Sequence, residues 1–202
     1  MSTLNQLVKS FLDEDLETFK ILLNENKNSL ATKFTDPDNE NKEITLLNLI
    51  ISYQDKSFFN ALKPYLNHEI INQGYPRSSI FNALRASKED TFFFDEIISF
   101  NPDLTVKDER GNNILNYVSD STLIPLDFIQ KVLDLGVDPF SNRENARENP
   151  FSTAVEYDRL DIVQLFSKHP NFEKSCTEQH LGGLIRRGHG VEFQRLINEF
   201  DS

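Results

Sequence analysis

Asn113-Ile114-Leu115-Asn116-Tyr117-Val118 restates, with closely matched residue types, what Ser79-Ile80-Phe81-Asn82-Ala83-Leu84 says 34 residues earlier. Related segments lie on either side: Ser2-Thr3-Leu4-Asn5-Gln6-Leu7, Thr45-Leu46-Leu47-Asn48-Leu49-Ile50 and Asn149-Pro150-Phe151-Ser152-Thr153-Ala154, giving starts at residues 2, 45, 79, 113 and 149. A second pattern follows each start. Leu22-Leu23, Ala61-Leu62, Ile97-Ile98, Val132-Leu133 and Leu165-Phe166 precede Asn28, Asn67, Asp103, Asp138 and Asn171 by the same interval.

These positions describe one physical unit. Thr45, Ser79, Asn113 and Asn149 each offer a short side-chain acceptor where the first N–H groups of a helix lack partners, and Pro150 sits where proline costs no hydrogen bond. Apolar residues then recur at helical spacing, as in Leu46, Leu47 and Ile50. A second amphipathic stretch carries Phe128, Ile129, Val132 and Leu133 on one face. Each unit therefore reads as two short helices. Between units the chain turns polar over Asn101–Gly111, and Gly111 and Gly136 can take the positive φ that a change of direction requires. One helix pair cannot close a core, so this period implies stacked units that cover one another.

The pattern resembles the ankyrin repeat, which has the same length and a Thr-Pro-Leu-His-x-Ala opening to its first helix. Asn149-Pro150-Phe151-Ser152-Thr153-Ala154 is similar to that opening, Asp158-Arg159-Leu160-Asp161-Ile162-Val163 resembles the turn into the second helix, and Leu135-Gly136-Val137-Asp138 resembles the unit's ending. Lys107–Asn113 reads like the linking hairpin. The likeness runs from Ser2 to about Phe172 and continues at Gly188–Phe193 with Leu196-Ile197. Asn stands in the family's His position at 48, 82 and 116, and the first unit holds extra residues around Thr32–Glu43. The resemblance implies an all-α ankyrin-repeat solenoid of about five helix-turn-helix units plus a C-terminal capping helix pair. One domain would cover 1–202, with units near 1–43, 44–77, 78–111, 112–147 and 148–175 and a cap over 176–202.

Composition bounds the function. The 202 residues are 38% hydrophobic, enough for a core, with 17 Phe and no Trp. No apolar run approaches the roughly 20 residues that span a bilayer, and Met1–Ser10 lacks the basic start and apolar stretch of a signal peptide. A cytoplasmic location is expected, and the single Cys176 suits a reducing compartment. With 32 acidic against 21 basic residues the net charge is −11. That opposes phosphate backbones and anionic lipid and favours a basic partner, so neither nucleic acid nor membrane is an expected target.

Catalytic signals are sparse. There is no glycine-rich phosphate loop, Cys-x-x-Cys or His-Glu-x-x-His, so no enzyme activity and no cofactor is expected. Cys176 and His180, four apart on a common helix face, are the alternative of another class: a metal-dependent C-terminal site with His169 and His189 nearby. His189 also fits the repeat register. The runs Asp13–Glu17 and Asp36–Glu40 lack the ligand spacing of a calcium loop; the first reads as the charged start of a second helix. Phe92-Phe93-Phe94 reads as core.

The family binds through hairpin tips and the concave face of its first helices. By register the resemblance implies protein-binding positions at Tyr53, Tyr75, Arg77, Glu109, Arg110, Asn112, Asp120, Asn145, Glu148, Glu156 and Tyr157. Exposed tyrosines there supply rigid amphipathic anchors. The implied function is a non-enzymatic interaction module, monomeric when unbound. Its most concrete form is an immunity or antitoxin protein that neutralises a cognate basic toxin; a host-directed bacterial effector or a general scaffold is the alternative.

Overall fold

The computed structural model describes residues 3–73, 78–87, 90–108, 111–119, 124–141 and 149–173, together with Val191, Arg195 and Asn198. The chain forms two compact units, residues 1–103 and 104–202. Among the described residues the first unit contains α1 (Thr3–Leu12), α2 (Leu16–Glu25), β1 (Lys33–Asp36), β2 (Asn39–Thr45), α3 (Leu46–Ser52), α4 (Lys56–Leu62), α5 (His68–Asn72), α6 (Ser79–Ala86) and α7 (Phe92–Ile98). The second contains α8 (Ile114–Ser119), α9 (Leu126–Asp134), α10 (Pro150–Glu156) and α11 (Leu160–Phe166). Helices pair in sequence order, α1 with α2, α3 with α4, α6 with α7, α8 with α9 and α10 with α11.

The all-α expectation is corrected by β1 and β2, which form a two-stranded antiparallel sheet and make the fold mixed, though predominantly helical. The physical reason lies in the residues that the repeat pattern leaves over. Phe34 pairs with Ile44 and Lys33 with Thr45 on either side of Asp36-Pro37-Asp38-Asn39, a sequence of turn formers. Thr35 then pairs with Glu43 but Asp36 with Asn39, so Glu40-Asn41-Lys42 bulge out of the ladder. A short helix, α5, also occupies part of the segment that the repeat leaves between units. It starts because the Asn67 side chain accepts a hydrogen bond from the Ile70 N–H at 3.0 Å. The C-terminal pair expected over 176–202 lies outside the described residues apart from Val191, Arg195 and Asn198.

Capping follows the sequence closely, with one exception. Thr45 accepts from the Asn48 N–H at 3.3 Å. Asn149 and Ser152 form a reciprocal capping box with Pro150 at the first turn. Asn113 accepts from the N–H groups of Leu115 and Asn116, while Asn116 Oδ1 accepts from the Asn113 N–H. In the fourth case the cap is Ser78, not Ser79. Ser78 makes no side-chain cap bond, and both hydroxyls are buried without partners.

Three of the helix pairs reverse through one and the same device. Glu14, Gln54 and Asp158 lie in the left-handed region, with φ of 57°, 58° and 57°. In each, that residue's N–H donates to a carbonyl three residues back and the next N–H to one five back: Asp15 to Ser10 at 2.9 Å, Asp55 to Ile50 at 3.3 Å and Arg159 to Ala154 at 2.9 Å. This is the Schellman closure, made here without glycine. The residue completing it is also the cap of the next helix. Asp15 accepts from Thr18 and Asp55 from Ser57 and Phe58, so a three-residue turn serves two helix ends.

Burial supplies the stability. Phe19, Leu23, Leu46, Ile50, Phe59, Phe81 and Phe94 fill the first unit's core. Phe59 meets Phe93 edge to face at 5.3 Å, and Phe92 is half-buried, in keeping with the phenylalanine run being core. In the second unit Leu115, Ile129, Val132, Phe151, Val163 and Phe166 do the same work. Each such side chain contributes roughly 1.5–3 kcal/mol. The half-exposed ion pair of Lys56 with Asp90 belongs to a class worth about 0–1 kcal/mol, so burial dominates.

Two outcomes test this account. Gln54→Gly should stabilise by about 0.5–1 kcal/mol, because a side chain in the left-handed region costs roughly 1–2 kcal/mol and glycine's added chain entropy returns only part of it. Asn113→Ala should destabilise by about 1–2 kcal/mol through loss of the cap. Urea unfolding of both variants measures the shifts, and a destabilised Gln54→Gly protein would contradict the turn assignment.

Candidate binding surface

In the first unit one predicted residue stands at the junction of three elements. Tyr53 ends α3 as its C-cap, immediately before the left-handed Gln54, and remains 47% exposed. Its phenol donates to the carboxylate of Asp38 in the β1–β2 turn, at 3.1 Å to Oδ2 and 3.3 Å to Oδ1. Its ring packs edge to face against Phe11 of α1 at 5.4 Å. Phe11 meets Phe58 of α4 at 5.1 Å, and Phe58 meets the fully buried Phe19 of α2 at 4.9 Å. A continuous line of edge-packed rings thus runs from the core to a surface tyrosine and orients it, and the tyrosine in turn holds the hairpin tip.

The electrostatics of the junction are negative. Partial burial, and then the hydrogen bond and charge of Asp38 with a further contribution from Asp36, push the Tyr53 phenol above its ordinary value of 10.0. Elsewhere carboxylates are held below their usual range by local donors. The Lys56 hydrogen bond lowers Asp90, and the Arg159 fork on Asp161 lowers that group. The Thr18 hydrogen bonds lower Asp15, as expected of a carboxylate at a helix start.

In the second unit Tyr157 repeats the placing of Tyr53. It is the C-cap of α10, precedes the left-handed Asp158 and is 54% exposed. Glu156 beside it is also exposed. Asn112 is buried: its N–H and Nδ2 donate to the Asp108 carboxylate at 2.8 and 3.0 Å, and the Tyr117 phenol donates to that same carboxylate. Asn112 therefore serves to order its loop. Tyr75, Arg77, Glu109, Arg110, Asp120, Asn145 and Glu148 lie outside the described residues, as do Cys176, His180 and His189. His169 is described, and its Nδ1 accepts from the Asn171 N–H at 3.2 Å. Among the described residues no group of three His, Cys, Asp or Glu could hold a metal ion, and no helix is long and apolar enough to cross a membrane.

The residues that sequence reasoning missed are Asp38 and Phe11. Asp38 belongs to a run read only as a poor calcium loop, and Phe11 looks like any core position of α1. No protein-family model matches the chain, and no curated protein matches it significantly.

The raised phenol has a defined consequence. A group whose folded pKa lies above its unfolded value contributes stability that is present below the unfolded value, here pH 10.0, and is lost as pH rises through the folded one. Difference titration against Tyr53→Phe should show Tyr53 ionising later than an ordinary phenol. Asp38→Asn should move it back only part of the way, since burial is the larger cause. A full return would mean that burial contributes nothing.

Proposed function

We propose that the chain is a non-enzymatic protein-interaction module, related to degenerate ankyrin repeats, which binds a protein partner through its exposed helix ends and hairpin tip. The observation that carries this reading is the recurrence of a large exposed aromatic, Tyr53 and Tyr157, at the same rigid position before a Schellman turn in each compact unit. Tyrosine is enriched at protein interfaces because it brings apolar area and a polar tip at low entropic cost. Helix ends locked by paired carbonyl closures present it with little freedom left to lose.

The most concrete form is an immunity or antitoxin protein. A net charge of −11 suits occlusion of a basic cleft, and complementary charge would speed the encounter. A cytoplasmic, initially monomeric binder fits that role.

Co-expression with the product of each neighbouring gene, scored for growth arrest by that product alone and followed by purification, tests the proposal. A stoichiometric complex with a basic protein and relief of arrest are expected. The association rate should fall several-fold as salt rises past about 0.15 M, where exposed charges more than roughly 8 Å apart are screened. A complex whose rate ignores salt would remove the electrostatic part, and no complex with any protein would overturn the reading.

A further inference from the structure

We draw no further inference here: the strongest candidate, the buried guanidinium of Arg159 at the α10–α11 turn, gives its Nε and Nη2 to Asp161 and leaves Nη1 enclosed without a hydrogen-bond partner among the described residues, and nothing in the structure shows what covers that nitrogen.

Discussion

Short helices that cannot stand by themselves are the constraint on which everything else in this protein depends. The described α-helices run from five to ten residues, below the roughly 12–15 at which an isolated helix becomes even marginal in water. In α3 every residue from Leu46 to Ile51 is buried, and in α10 every residue from Pro150 to Val155. Such helices are held by neighbours on more than one side. Their sequences accordingly read as near-continuous apolar runs and not as one-sided stripes.

Full burial makes polar residues on those helices into fixed points. Asn116 donates to the Thr153 hydroxyl across from α8 to α10 at 3.3 Å, and Ser119 and Ser87 return their hydroxyls to carbonyls of their own helices. Backbone groups at the helix ends are satisfied by turns in which one residue closes one helix and caps the next. That economy requires a left-handed residue at a set place, and the chain accepts Glu14, Gln54 and Asp158 there although glycine would cost less. At Asp158 and Gln54 the arrangement leaves the preceding tyrosine on the outside, so the device that reverses the chain also displays the candidate contact residue.

The hairpin shows how a departure from a repeating plan acquires a place in the structure. Its ladder is short and bulged, and a two-stranded ribbon is marginal alone. What steadies it is external: Thr45 ends β2 and caps α3 at once, and Tyr53 at the far end of α3 reaches back to Asp38. Tying both ends of one seven-residue helix to the same hairpin fixes the acidic tip beside the exposed ring. Burial of the phenol, and after it the hydrogen bond and charge of Asp38, raise the Tyr53 phenol above its ordinary value.

Local chemistry was enough to place the helix pairs, the caps at Thr45, Asn113 and Asn149, and the glycines at 111 and 136, whose φ values are positive. Each depends on neighbours in sequence: a side chain reaching an N–H two or three residues on, or a backbone that needs no Cβ. The sheet was legible in principle, as Phe34 and Ile44 around Asp36-Pro37-Asp38-Asn39, but these residues fall in the stretch that the helical repeat period leaves over, where that pattern specifies nothing. Burial of Asn112 and the cap at Ser78 were not legible, since a polar residue one position away is equally able to cap or to face water until the packing decides. Nor could residue order reveal that Tyr53, Asp38 and Phe11 meet. They are separated by 15 residues and more along the chain, and only tertiary packing brings a turn, a helix end and a core ring into one contact, because distance in space between such positions is set by which apolar faces bury each other and not by any local preference.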